Sequence, residues 1–193
     1  MKTLYLDCET TGLNSEKHDI IQLAGLIEID GQEKERFKFN VCPIDLSRID
    51  MQALLVNNLS IEKIKTFMPA KEFYTALLGV FDKYIDRYNK EDKFLICGYN
   101  VRFDVDFLKE FFKQNGNDYL FSYLGNIKDP YPVLTYLKTL GKIEIENLKL
   151  VTVCDYFKIQ IDAHDAMSDI LATKKLIEIL DEFFKELKNF LRL

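Results

Sequence analysis

The chain has 193 residues, 48% of them apolar, with 26 basic and 31 acidic side chains and a net charge of −5. That is enough apolar material for one sizeable core, so we expect residues 1–193 to form a single domain and not a disordered chain. No apolar run reaches the roughly 18–20 residues of a membrane span, acids interrupt the opening "MKTLYLDCET" too early for a signal peptide, and no basic stripe marks strong nonspecific nucleic-acid binding.

The first element is a strand over "TLYLDCE". "IIQLAGLIEID" and "EKERFKFNV" follow on either side of Asp30-Gly31, a dipeptide that signals a hairpin between two strand-like runs. The first three strands are therefore antiparallel. Residues 50–88 read as helices and connections, with an apolar stripe at Phe73, Leu77, Leu78, Phe81 and Ile85. "FLICG" is a short buried strand. It leads into a helix over "NVRFDVDFLKEFFKQNG", with Asn100 placed to cap its start and Gly116 just past its end. Two shorter helices occupy 130–158. A last helix runs from about Asp165, its cap, to Leu187 or beyond, with Leu176, Ile177, Leu180, Phe183, Phe184 and Leu187 as a core-facing stripe. The order is that of an α/β protein: three antiparallel strands, then helices alternating with one or two further strands, with no linker dividing the chain.

Cys8, Cys42, Cys97 and Cys154 lie far apart, which fits free thiols in a reducing compartment, and we expect a cytoplasmic protein. With His18 and His164 the only histidines, the spacing excludes a zinc site.

Three stretches carry acids at suggestive spacings. In "YLDCETTGL", Asp7 and Glu9 are two apart on a strand and project to one face. Two carboxylates so close repel unless a cation lies between them, and hard divalent ions prefer such oxygen ligands. A solvated outer face would show the same alternation, and the fragment alone does not decide. In "GYNVRFDVDFL", Asp104 falls in the first turn of a helix, where an acid also suits the helix dipole. Asp106 has only that second role, and Phe103, Phe107 and Phe111 form a core stripe. In "AHDAMSDILATKK", Asp169 and Thr173 share a helical face. His164, five residues before Asp169, can converge with it only from the preceding loop, which a cap at Asp165 supplies. His18, in "NSEKHDI", reads as a solvated loop residue.

Together and in this order, "DCETTGL", "NVRFDVDFL" and "HDAMSD" resemble the three motifs of the DEDDh 3′–5′ exonucleases, the DnaQ-like group that includes polymerase proofreading subunits, ribonuclease T and oligoribonucleases. The first motif is met in full. The second is matched by Asn100, Phe103, Asp104, Phe107 and Leu108, with Tyr99 standing where many members have histidine. The third is matched by His164 and Asp169, and this histidine selects the "h" branch. "NLKLVTVCDYFKI" is similar to the helix preceding the third motif, so the resemblance runs from about Lys2 to Leu180.

The resemblance implies a ribonuclease H-like α/β fold: a mixed five-stranded sheet, three antiparallel strands then parallel ones, flanked by helices. It implies two divalent cations, Mg²⁺ or Mn²⁺, with Asp7 bridging both, Glu9 and Asp169 binding one, and Asp104 serving the other partly through water. His164 is the implied general base. Thr10 and Leu13 are implied beside the terminal nucleotide, Leu13 as a wedge or else a core leucine, and Asn100 is implied to hold the strand. The expected substrate is the 3′ end of a single strand, DNA favoured over RNA, with 5′-mononucleotides released. A net charge partly made of such a site does not exclude a nucleic-acid substrate. Arg102, Lys109, Lys174 and Lys175 are the few basic residues near the motifs, so binding is expected to be weak, salt-sensitive and poorly processive. An RNA-trimming exoribonuclease or oligoribonuclease is the enzymatic alternative, and a non-catalytic nucleic-acid-binding module the alternative from another class. A polymerase or homodimer partner is left open. Little chain follows the final helix, so we expect a free-standing enzyme, or one recruited by its globular surface, over a subunit tethered through a C-terminal tail.

Overall fold

The computed structural model describes residues 1–162 and 165–191, with side chains as far as 186. Its elements are β1 (Lys2–Thr10), β2 (Ile20–Ile29), β3 (Gln32–Cys42), α1 (Met51–Val56), α2 (Ile61–Ile64), β4 (Met68–Pro69), α3 (Ala70–Tyr84), β5 (Phe94–Cys97), α4 (Arg102–Gln114), β6 (Leu124–Lys128), α5 (Pro130–Thr139), α6 (Leu150–Phe157) and α7 (Ala166–Leu191).

The sheet order is β4-β3-β2-β1-β5-β6. β1 pairs with β2 and β2 with β3 antiparallel, while β5 runs parallel to β1 and β6 parallel to β5. This is the expected five-stranded mixed sheet, extended by the two-residue β4 lying parallel to the end of β3. The β2–β3 turn forms at Asp30-Gly31 with φ of 51° and 77°, the paired positive values a two-residue hairpin requires.

The alternation of β1 decides what each face meets. Leu4, Leu6 and Cys8 point into the larger core, built with Phe73, Leu77 and Phe81 of α3 and Phe107, Leu108 and Phe111 of α4. Tyr5 points to the opposite face, where Ala166, Ile170 and Ile177 of α7 cover the sheet. Asp7 and Glu9 follow Tyr5 at period two, so the polar side of β1 is not a solvated face but one roofed by the last helix.

α4 ends as expected: Gly116 at φ 73° donates its amide to the Lys113 carbonyl at 2.9 Å, and Asn117 donates to Phe112 at 3.0 Å. Its start differs. The helix has no side-chain cap of its own; Asn100 sits before it in a left-handed conformation with φ 55°. The entry to it is held by Asp129, whose carboxylate takes the amides of the two residues before the helix, Asn100 at 3.0 Å and Val101 at 3.1 Å. The same carboxylate caps α5 by accepting from Tyr131 at 2.9 Å.

At the other end of the chain, Leu176, Ile177 and Leu180 are buried, but Phe183 and Phe184 are 49% and 43% exposed. The apolar stripe of α7 outlasts the surface it packs on; the side chain of Leu187 lies outside those described. No described helix is long and apolar enough to cross a membrane.

Candidate active site

Asp165 starts α7 as its cap, accepting the amides of Met167 at 3.1 Å and Ser168 at 3.0 Å, and an ion pair with Lys38 of β3 holds it against the sheet. Asp169 then falls in the first turn, over β1. Oxygen atoms of Asp7, Glu9 and Asp169, one from each, all lie within 4.8 Å of one another. Asp104 reaches the same end of β1 from α4. It is 4% exposed, and its Oδ1 accepts the backbone amide of Cys8, the residue between Asp7 and Glu9, at 2.8 Å. Three of the four expected acids therefore form one oxygen cage, while Asp104 stands beside it with one oxygen bound to the strand.

The electrostatics follow from crowding and burial. Burial pushes the Asp7 carboxyl well above its ordinary range, and Asp104, Asp169 and Glu9 add like-charge repulsion. Burial, then Asp169, raises Glu9 to about 7, with Lys38 as the opposing positive charge. Asp104 is raised to about 7 by burial, against which the hydrogen bonds from Cys8 work. A buried, all-oxygen donor set short of positive charge is the environment a hard divalent cation relieves. The residues present fit such ions. His164 lies outside the described residues.

Glu9, Thr10, Leu13, Val56, Asn57 and Phe103 line a cleft of about 360 Å³ beside these acids. Leu13 is 86% exposed, which rules out the core reading. Thr10 is buried and its hydroxyl donates to the Gly12 carbonyl at 2.6 Å, fixing the turn that presents Leu13. Phe103, expected in the core with Phe107 and Phe111, is only half-buried. It packs on Phe107 with centroids 4.8 Å apart and turns its other side to the cleft. Asn100 is exposed, and Tyr99 donates its hydroxyl to the Leu148 carbonyl at 2.6 Å instead of facing solvent. His18 is not a free loop residue: Nδ1 lies 3.1 Å from the Asn14 amide, and a Cβ on Gly12 would meet its ring at 2.4 Å, so it braces the loop after β1.

Two residues that the sequence reading passed over belong to this region. Asn57, at the end of α1, lines the cleft with a buried Oδ1 that has no hydrogen-bond partner among the described residues. Nothing in "LLVNNLSIEKI" singles it out. Asp129 positions the turn from which α4 and Asp104 start, and its signal was present as an acid directly before Pro130, a helix-start pattern. The basic residues near the motifs are largely committed: Arg102 pairs with Asp106 at 3.2 Å, Lys175 with Glu178 at 3.2 Å, and Lys174 with the buried Glu28.

Acids from β1, α4 and α7 brought to the end of a central strand fit the class of enzymes that work through bound divalent cations. Residues 4–177 match the family described as Exonuclease, of RNase T type, and the chain belongs to that metal-dependent family. Over 178 residues it is 25% identical to the PolC-type DNA polymerase III of Lacticaseibacillus paracasei, covering 91% of this chain and 11% of that protein. Its fold is similar to E. coli exonuclease I in complex with a dT13 oligonucleotide, with a TM-score of 0.79 at 20% identity over 98% of this chain and 43% of that one. The zinc-bound form of the exonuclease I–single-stranded DNA complex gives the same TM-score and identity over 42% of its chain. The chain thus spans about a tenth of the curated relative and under half of the structural ones.

Proposed function

We propose that residues 1–193 act as one 3′–5′ exonuclease domain that removes 5′-mononucleotides from the 3′ end of single-stranded DNA. The observation that carries the reading is the oxygen cage of Asp7, Glu9 and Asp169 opening beside a cleft whose rim is the exposed Leu13.

Asp7, Glu9 and Asp169, with Asp104 beside them, would hold two divalent cations, Mg²⁺ or Mn²⁺. All four carboxylates would serve as the ligands, Asp104 with the oxygen that the Cys8 amide leaves free. Bound there, such ions would supply Lewis-acid activation of water and charge neutralisation on the departing 3′-oxygen. The remaining work falls to the chain. His164 takes the proton from the attacking water, a role its ordinary pKa near 6.5 suits. Leu13 and Phe103 offer apolar surface to the terminal base, which suits a sequence-tolerant reader of single-stranded ends. Thr10 holds the loop that carries Leu13, and Asn100 contacts the strand as it enters. The free state of Cys8, Cys42, Cys97 and Cys154 supports a cytoplasmic setting.

The test uses 5′-labelled oligomers of one sequence as single-stranded DNA, duplex DNA and RNA, each with Mg²⁺, Mn²⁺ or EDTA. A ladder shortening from the 3′ end of single-stranded DNA, with either metal and not with EDTA, is the expected result. No shortening of any oligomer would overturn the exonuclease reading, and faster shortening of RNA would overturn the choice of DNA.

A further inference from the structure

At the amino-terminal ends of β1 and β5, a groove of about 810 Å³ runs between Lys2, the 90–95 segment and the 121–126 segment. It continues past Lys90, Lys93 and Phe121 into a hollow of about 390 Å³ lined by Arg87, Tyr88, Tyr119 and Tyr123. Two stretches that look unremarkable along the chain, "RYNKEDK" and "NDYLFS", are brought together here. Tyr88 is 83% exposed, Tyr119 74% and Phe121 46%: three large rings left in solvent around Arg87, Lys90 and Lys93.

Both loops are built firmly enough to hold these side chains in place. Asp86 accepts the Tyr88 amide at 3.1 Å, Asp92 accepts the Asp86 amide at 2.9 Å, and Asn89 accepts that of Glu91 at 3.1 Å. In the second loop Asn117 accepts the Tyr119 amide at 2.7 Å and donates to the Tyr74 hydroxyl at 2.6 Å. The guanidinium of Arg87 lies 5.2 Å from the Tyr88 ring centre and donates to its hydroxyl at 3.1 Å, steadying that ring. Asp86 and Asp92 are thus occupied in the turn, Asp92 also pairing with Lys2. Lys90 and Lys93 have no ion-pair partner among the described residues, and Glu91 and Asp118 are the remaining acids in the lining.

We propose that this cleft is a second binding site for single-stranded nucleic acid, with Lys90 and Lys93 on the phosphates and Tyr88, Tyr119 and Phe121 as stacking platforms. Exposed rings interleaved with lysines and an arginine are the chemistry that takes an unpaired strand without regard to sequence. The site is remote from the acids. Lys2, at its edge, and Glu9 are seven residues apart on β1, roughly 23 Å at about 3.3 Å per residue. It therefore serves a strand longer than the terminal nucleotides, and it raises retention by multivalency, not by new contacts at the reacting end. The proposal rests on the functional reading above only in that the ligand is a nucleic-acid strand.

The test compares the unaltered protein with Lys90→Ala/Lys93→Ala and Tyr88→Ala/Tyr119→Ala. Affinity for a fluorescent dT30 strand is measured by anisotropy in EDTA across a salt series. Turnover of the p-nitrophenyl ester of thymidine 5′-monophosphate, too small to reach the second site, is measured with Mn²⁺. The lysine variant is expected to weaken dT30 binding and to lower the slope of log affinity against log salt by about 1.4, two phosphate contacts at about 0.7 each. The tyrosine variant is expected to weaken binding about tenfold or more with the salt slope unchanged. Both should hydrolyse the small ester as the unaltered protein does. Unchanged dT30 affinity in both variants, the result if the cleft takes a protein instead, overturns the proposal. Failure of the unaltered protein to cleave the ester bears on the catalytic reading and leaves the binding result to be read by itself.

Discussion

The amide of Cys8 donates to the Asp104 carboxylate at 2.8 Å, so the strand carrying two of the acids is pinned directly to the helix carrying a third. The two residues are 96 apart in sequence. Asp104→Asn keeps an oxygen to accept that amide and removes the charge, whereas Asp104→Ala leaves the buried N–H without a partner. We expect Asp104→Ala to lose about 1–3 kcal/mol relative to Asp104→Asn in urea unfolding with EDTA present. Both should lose most hydrolytic activity. Equal stability of the two variants would show that the bond has no structural part.

Stability without metal should fall as pH rises. Burial and mutual repulsion hold the folded-state pKa values of Asp7, Glu9 and Asp104 above their ordinary values of 3.8–4.5, Glu9 and Asp104 to about 7. Between about pH 4 and pH 7 the folded chain therefore binds more protons than the unfolded one, and linkage makes unfolding easier with each step upward. The expected outcome is a Tm in EDTA that declines from pH 5 to pH 8, and a decline that Mn²⁺ abolishes. A Tm that rises over that range in EDTA, or one indifferent to Mn²⁺, contradicts the electrostatic account.

His164→Ala should bind Mn²⁺ as the unaltered protein does and hydrolyse about 10²–10⁴-fold more slowly, the loss typical of a missing acid–base group. Titration calorimetry with Mn²⁺ alongside single-turnover hydrolysis separates the two effects. Near-normal turnover would place the base elsewhere.

Leu13→Ala tests the cleft rim. With Leu13 86% exposed, truncation should move the Tm by less than the error of the measurement. An effect on substrate is expected all the same: a raised KM on single-stranded DNA with ester turnover preserved. A large drop in Tm would mean that Leu13 packs in a way its exposure does not suggest.

Several features of this protein were legible along the chain because each depends on neighbours a few residues away. The strand-like runs marked β1 to β3, Asp30-Gly31 marked the β2–β3 hairpin, and Asp165 and Gly116 marked a helix start and a helix end where the structure has them. The four motif acids were identifiable only through the resemblance that the three motifs carry together, since each fragment alone also fitted a solvated or structural role. What the sequence could not decide were matters of long-range closure. Only the packing of α7 shows that Asp7 and Glu9 face a helix and not water, since that turns on contacts between residues more than 150 positions apart. Only the meeting of the β5 end with the α5 start lets Asp129 hold the turn into α4 and leaves Asn100 left-handed. β6 carries Gly125 and Asn126 and pairs because β5 offers it an open edge, not because of its own propensity. The stripe on α7 could not announce where its supporting surface ends, so Phe183 and Phe184 emerge into solvent. Local periodicity specifies which elements form and which side each presents; what lies opposite that side is set by the whole chain folding at once.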